Sequence, residues 1–567
     1  MHFKYSFVIF LIFSFILGCS ENIDQTQEVT QDDRPNILFI VADDMGYSDL
    51  GAFGAEISTP NLDALAFEGM RLTNFRTATA CLATRARMMT SSIADHVIED
   101  TKSIFDGVLY RGGERGIGVS ENWALLPELL QDAGYQTFAA GKWDLGARVG
   151  HNPATRGFDR SFVNSGASNS HFKEEIYQYP FLYQDDGELL ANADLPEDFY
   201  ATEYYTDRMI DYISSSSDDS PWFAYVPYTA PHWPLGLPDD WLDRYDGRYD
   251  EGYEVLKQER FERALELGVV PPGGSLDNYK PTAAAWDSLT TETQVRHIRA
   301  QEIYAGMVEY MDMSAGRIID LLHESGEIDN TVIMFVSDHG ASAAGHALDP
   351  ENPQGRNATG GWKIFDNSIE NFGRPGSFID HGNGFGEAAT VPFKFFKSRF
   401  TEGGTRAVGF IYFPKLIDPG VTNELMGMVD ILPSFVDIAE SKHPGAGYYK
   451  DREINDILGY SFWPYITGQA EYVRSSDQSI GWVSSRNNSG AYIKGNYKII
   501  KETAPDLDAN NLHTDWTLDA WKLFDLSVDP GEHFDLASEN PDLLNQLVEE
   551  WTDNYLLREY RNPSRLL

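Results

Sequence analysis

The sequence predicts an α/β protein: a mostly parallel sheet flanked by helices, followed by a smaller C-terminal α+β unit on an antiparallel sheet. Three observations carry this. Residues 37–42, Ile37-Leu-Phe-Ile-Val-Ala42, form an unbroken apolar run of β-formers, the pattern of a strand covered on both faces. The same pattern recurs in residues 136–142, 222–232 and 331–340, each run ending in polar residues. Helical patterns lie between them, at 61–68, 125–133 and 302–325, and strand alternating with helix implies parallel neighbours joined by crossovers. Beyond residue 446 the pattern changes to a hairpin over 491–500 with its turn at Gly495-Asn496, then a strand-like Trp521-Lys-Leu-Phe-Asp-Leu526 and an amphipathic helix over 541–555.

Taken from the N-terminus, residues 1–19 combine Lys4 with an apolar stretch, 7–17, too short to span a bilayer, and end in Ile16-Leu17-Gly18-Cys19. This reads as a secretion signal. Its ending resembles a bacterial lipobox, which predicts cleavage before Cys19, acylation of that thiol and a polar tether over 20–33; an ordinary signal peptide cleaved nearby is the alternative. The expectation is an exported lipoprotein, in the periplasm or at the cell surface, anchored to the outer membrane. Cys19 and Cys81 are the only cysteines. With Cys19 removed or lipidated no disulfide can form, so Cys81 is kept for chemistry or packing.

The main unit is expected over 34–445 and the C-terminal unit over 446–567, with the boundary in 442–450. Within the main unit, 240–300 is charged and helical in pattern, 341–390 reads as a long functional loop, and 428–440 as a helix. Lys plus Arg number 44 against 87 Asp plus Glu, a net charge of −43. That balance excludes nucleic acid and anionic membrane surfaces as partners of the body of the protein. An anionic substrate would need a locally basic pocket, which screening over roughly 10 Å permits.

In open parallel sheets ligands bind at the carboxyl ends of strands, where this sequence places Asp43-Asp44, Lys142, His232 and Asp338-His339. Adjacent carboxylates repel unless a cation or proton intervenes, and carboxylates from two strand ends suit a hard divalent ion. Alone, Asp43 and Asp44 could equally be turn carboxylates capping loops.

In order along the chain, Arg34-Pro-Asn-Ile-Leu-Phe-Ile-Val-Ala-Asp-Asp-Met-Gly46, Thr59-Pro-Asn-Leu-Asp63, Cys81-Leu-Ala83-Thr-Arg85, Gly141-Lys142-Trp143 and Arg156-Gly-Phe-Asp159 are followed by Ala230-Pro-His232-Trp-Pro and Asp338-His339-Gly340. Asp366-Asn-Ser-Ile-Glu-Asn-Phe-Gly-Arg374, Lys397, Glu402-Gly-Gly-Thr-Arg406 and Leu523-Phe-Asp-Leu-Ser-Val-Asp-Pro-Gly-Glu532 continue the series. The set resembles the formylglycine-dependent sulfatase family, in its bacterial arylsulfatase type. The resemblance implies an alkaline-phosphatase-like catalytic domain and a sulfuric ester hydrolase. It implies that a maturation enzyme oxidises Cys81 to formylglycine, whose hydrate attacks sulfur with one hydroxyl and expels sulfate by collapse of the other. One Ca²⁺ would be held by Asp43, Asp44, Asp338, His339 and residue 81. Arg85 would stabilise the hydrate, Lys142 and Lys397 the sulfate oxygens, His232 the leaving oxygen, and Asp338 would activate the nucleophile.

Three departures stand out, and Lys394 besides lies close enough to Lys397 to compete for its role. Ala83 replaces the commoner proline of the cysteine box, and His339 sits where asparagine is frequent, although histidine also occurs there in the family. Asp144 stands where the family pattern Gly-Lys-Trp-His-Leu-Gly has the histidine that deprotonates the second hydroxyl. Asp144 is expected to act as that base or to bond Lys142, or else His151, His171 or His381 fills its place. The expected substrate is a sulfated small molecule or glycan. The alternatives are a phosphomonoester or phosphonate hydrolase of the same superfamily, and a catalytically impaired glycan-binding lipoprotein.

Overall fold

The computed structural model describes residues 33–93, 98–99, 118–166, 169–173, 183–217, 220–345, 347–354, 365–484, 489–502 and 520–556. Cys19, with the signal and tether, lies outside the described residues. Across the large sheet the strand order is Gly420–Thr422, Met70–Leu72, Gly409–Tyr412, Thr331–Ser337, Asn36–Ala42, Trp222–Pro227, Gln136–Lys142, Arg160–Asn164, Tyr183–Asp185 and Glu188–Leu190. The five central strands, from Thr331–Ser337 to Arg160–Asn164, are parallel; antiparallel pairing is confined to the flanks. All four predicted strands therefore sit together at the centre, with their carboxyl ends on one edge.

Side-chain alternation explains the continuous apolar runs. Leu38, Ile40 and Ala42 join a core with the helices Pro60–Glu68, Ala201–Ser214 and Thr291–Ser325, while Ile37, Phe39 and Val41 join another with Cys81–Thr90, Leu126–Asp132 and Ile431–Ile438. Both faces are covered, so neither can be polar.

Several boundaries differ from expectation. The strand beginning at Trp222 ends at Pro227, so His232 lies on the following loop. The long helix starts at Thr291, where the Thr290 hydroxyl accepts from the Thr293 amide at 3.2 Å; its first turns are mostly exposed and carry no apolar stripe to read. Segment 240–300 holds the α-helix Tyr253–Glu266 and the first turns of Thr291–Ser325, separated by a stretch that contains Pro271-Pro272-Gly273-Gly274. The loop over 341–390 contains the helix Gly382–Ala389. Among the described residues no helix is long and apolar enough to cross a membrane.

The C-terminal strands Ser479–Ser484, Ser489–Lys494, Tyr497–Lys501 and Lys522–Asp525 form an antiparallel sheet in that order. The hairpin turns at Gly495-Asn496, with Gly495 at φ 55°, a left-handed conformation that glycine adopts freely. Helix Pro541–Trp551 lays Leu547 and Trp551 on this sheet against Tyr492, Ile499 and Leu523, and a π-helical turn, Thr552–Leu556, continues it. Between the two sheets, Tyr449, Ile454, Phe462, Ile466 and Val473 pack into the core of the large one.

Candidate active site

The carboxyl edge of the central strands brings the predicted side chains together. Asp43 and Asp44 follow Asn36–Ala42 directly, and both are fully buried. Asp44 adopts φ 68°, which turns the chain sharply back. Its amide donates to Asp338 Oδ1 at 3.2 Å, and the Asp338 amide donates to the Ala42 carbonyl at 3.0 Å, tying the two acidic strand ends. Asp49 fixes the turn: its carboxylate accepts from the Gly46 amide at 2.7 Å, from Tyr304 Oη at 2.7 Å and from Arg260 at 2.5 Å. Arg260 also binds Glu56 through two nitrogens, at 2.8 and 3.0 Å. Sequence reading missed this clamp because Arg260 and Tyr304 lie within stretches read only as helical patterns; only Asp49, close to the acidic pair, carried any signal.

Cys81 opens helix Cys81–Thr90, and Arg85 lies one turn on. Arg85 donates to Asp338 Oδ2 at 3.2 Å and to the Lys142 carbonyl at 2.7 Å, and stands 3.8 Å from Asp43. Lys142 Nζ donates to Asp43 Oδ2 at 2.5 Å, and Lys397 Nζ to Asp44 Oδ1 at 2.5 Å and to Cys81 Sγ at 3.4 Å. Lys394 Nζ donates to the Glu532 carbonyl at 2.9 Å, whereas Lys397 is the lysine beside Cys81. The Lys397 loop is pinned to the cysteine box by the Ser398 amide, which donates to the Thr79 carbonyl at 2.8 Å. Gly340 and Gly403 make this possible: a Cβ on Gly340 would come within 1.8 Å of the Gly403 carbonyl oxygen.

The histidines have defined tautomers, because a carbonyl can only accept. His339 Nδ1 donates to the Gly340 carbonyl at 2.9 Å, leaving the Nε2 lone pair 3.2 Å from Cys81 Sγ and 3.3 Å from Asp44 Oδ1. His232 Nδ1 donates to the Trp233 carbonyl, leaving Nε2 at 3.3 Å from Lys397 Nζ and 3.4 Å from Asp44 Oδ2. Burial, together with Lys397, pushes His339 down to about 4 and holds His232 well below the usual range, so both are neutral at pH 7.

Burial would raise all three central acids, yet they diverge. Lys142, His232, Arg85 and Lys397 outweigh it at Asp43, which stays well below the carboxylate range. Asp44 is pushed up to about 6 by burial and by Asp43 and Asp338, against Lys397 and His339. Asp338 is pushed up to about 7 by burial and Asp43, against Arg85 and Lys142. Asp44 and Asp338 are therefore under-compensated by the protein's own cations.

A divalent ion fits this donor set. Asp43, Asp44, Cys81 and His339 offer buried ligand atoms that lie within 4.8 Å of one another. Asp43 Oδ1 and Asp44 Oδ2 have no hydrogen-bond partner, an expensive arrangement in a buried site that a cation would relieve. Asp338 falls outside that four-residue group but borders it, with Oδ1 at 3.4 Å from His339 Nε2 and Oδ2 held by Arg85.

The sequence model of the Sulfatase family matches residues 35–441, nearly all of the chain that supplies this site. The chain belongs to the sulfatase family. Its members are sulfuric ester hydrolases acting on sulfate esters. An uncharacterized sulfatase of Schizosaccharomyces pombe is 37% identical over 91% of this chain and 93% of its own. An arylsulfatase of Klebsiella aerogenes is 32% identical over 72% of this chain and 87% of its own. A solved protein in complex with its substrate D-glucosamine-2-N,6-O-disulfate shares the fold, with a TM-score of 0.57 at 19% identity over 94% of this chain and 99% of that one.

Asp144, the departure, is buried at φ 56° in this sulfatase, and its Oδ2 has no hydrogen-bond partner. Burial pushes its carboxyl up to about 6, opposed by Lys142 and Arg85. Lys142 Nζ turns to Asp43, so the expected bond between Lys142 and Asp144 is not the one formed. Of the replacement histidines, His381 spends both nitrogens on Gln301 and Ser342. His151 Nδ1 bonds the Val119 carbonyl at 2.9 Å. His171 is buried, donates Nε2 to the His232 carbonyl at 2.9 Å and keeps an unpartnered Nδ1. It therefore positions the backbone of His232.

Proposed function

We propose that this sulfatase is an exported, lipid-anchored enzyme that removes sulfate from saccharides, using residue 81 after its oxidation to formylglycine and one bound Ca²⁺. The observation that carries this reading is the convergence on Cys81 of three acids, His339, Arg85 and two lysines from strand ends, a helix and a loop far apart in the chain. A maturation enzyme that accepts Ala83 would supply the hydrated aldehyde with its two hydroxyls, and Ca²⁺, held by Asp43, Asp44, His339, residue 81 and bordering Asp338, would supply divalent charge beside them.

The chain's own groups would do the rest. Lys142 and Lys397 would bind sulfate oxygens as a pair of fixed cations. Lys397, with 15% of its side chain exposed, stands where substrate enters; the other site side chains are almost fully closed off. His232, neutral when the site is free, would gain proton affinity beside a sulfate anion and protonate the leaving oxygen from Nε2. Arg85 would hold Asp338 in place, and Asp144 Oδ2 would accept the proton that a histidine accepts in the family pattern. A saccharide substrate is supported by the structural relative solved with a disulfated glucosamine. The Ile16-Leu17-Gly18-Cys19 ending supports acylation of Cys19 and placement in the periplasm or at the cell surface.

Mass spectrometry of the peptide containing residue 81, after expression with a compatible maturation system, tests the nucleophile. The expected product is the aldehyde or its hydrate, with sulfate released from sulfated sugars and aryl sulfates faster than phosphate from matched esters. An unchanged thiol in an active enzyme, or faster phosphate release, overturns the reading. For the anchor, a Cys19→Ser variant should leave the membrane fraction.

A further inference from the structure

A second, arginine-lined site, sharing no lining residue with the Cys81 centre, lies between the small sheet of Phe75–Arg76, Arg406–Ala407 and Met426–Gly427 and the C-terminal sheet. It is a cleft of about 600 Å³, within the range of about 300–1,000 Å³ typical of small-molecule sites. Arg76, Arg406 and Arg474 line it and are nine-tenths or more buried. Arg76 and Arg406 are cross-strand partners, which sets two guanidinium groups side by side. Like charges so placed repel, and burial together with Arg76 lowers Arg406 to about 10. Glu402 behind them serves both, at 2.6 and 3.0 Å, and Lys498 besides, at 2.8 Å. Arg474 binds Asp430 through two nitrogens, yet its buried Nε–H has no partner. Glu424 is the one carboxylate among the residues lining the cleft, and its Oε1 accepts from the Val473 amide at 3.0 Å.

The rest of the lining is neutral, part apolar (Leu425, Ile493, Leu526) and part hydrogen-bonding. Ser476, Gln478 and Asn496 contribute hydroxyl and amide groups, and Tyr472, 55% exposed, offers an aromatic face. Guanidinium groups match sulfate or carboxylate, hydroxyls and amides match sugar hydroxyls, and an exposed ring matches the apolar face of a pyranose. In a protein of net charge −43, three arginines facing one cleft, with Glu402 and Asp430 behind them and Glu424 as the one lining carboxylate, concentrate guanidinium groups where an anionic polymer can meet them.

We propose that this cleft is a second binding site for an anionic saccharide chain, holding a sulfated polymer on the enzyme independently of the Cys81 centre. This rests on the reading that the substrate is a sulfated saccharide. A tethered polymer raises the local concentration of its own ester groups at the active site without any change in the chemistry there.

Affinity electrophoresis of the full chain against dextran sulfate, with unsulfated dextran as control, tests it. Tyr472→Ala combined with Ser476→Glu should weaken dextran sulfate binding about tenfold, leaving hydrolysis of a small aryl sulfate and the melting temperature unchanged. Lys142→Ala, which disables the centre, should retain most of the binding, and rising salt should weaken it. Equal affinity in the cleft variant and the wild type, or loss of binding in Lys142→Ala alone, overturns the proposal. Failure of the matured wild type to release sulfate would instead refute the reading of the Cys81 centre, an outcome the binding arm does not depend on.

Discussion

Two buried ionic clusters in this molecule have similar ingredients and opposite states. Around Cys81, Asp43 Oδ1 and Asp44 Oδ2 lack partners, and Asp44, Asp338 and Asp144 are pushed above the carboxylate range. Around Glu402, one oxygen accepts from Arg76 and Lys498 and the other from Arg406. Burial would raise Glu402, but these three cations hold it well below its usual range. A saturated carboxylate is a structural tie, whereas acids crowded together without enough partners store a demand for something that binds.

The sharpest way to break this contrast is to neutralise one acid in each cluster. Asp44→Asn should lower sulfate release on the order of a thousandfold and leave the melting temperature in chelator unchanged or higher, because it removes a charge the fold compensates poorly. Added Ca²⁺ should raise the melting temperature of the wild type and not of the variant. Glu402→Gln should do the reverse. It leaves Arg76, Arg406 and Lys498 over-charged in a dry site and should cost about 3–5 kcal/mol in urea unfolding. A loss below about 1 kcal/mol would erase the distinction.

Asp144 sharpens the comparison within the site. As the proton acceptor, Asp144→Asn should lower kcat about a hundredfold and remove an acidic limb near pH 6 from the kcat profile, since the carboxylate form is the active one. A much faster Asp144→His enzyme would take the role away from the aspartate. The smallest effect belongs to the clamp behind Asp44, where burial is outweighed by Arg260 and Glu56 is lowered to about 2. A depressed pKa stabilises the fold above the unfolded value near 4.5 and loses that contribution as pH falls toward 2. Between pH 5 and pH 3 the wild type should therefore lose about 2 kcal/mol more stability than Glu56→Gln, measured by denaturant unfolding at each pH.

Strand grammar alone placed Asp43-Asp44, Lys142 and Asp338-His339 at strand ends, because a strand buried on both faces must be apolar throughout and its first polar residue marks where it leaves the core. The edge they share followed from the parallel topology, and their identity from ordered local motifs. None of this needed a distance. What the sequence left open turned on contacts between segments far apart in the chain. It could not decide between Lys394 and Lys397, among His151, His171 and His381, or whether Asp144 would bond Lys142. Nor could it show the Asp49–Arg260–Glu56 clamp, the Glu402 hub, or the arginines meeting beside the C-terminal sheet. Periodicity and turn chemistry are properties of neighbouring residues and survive in one dimension. The partner of a buried charge is chosen by tertiary packing, because the cost of leaving that charge unpaired arises only once water has been excluded around it.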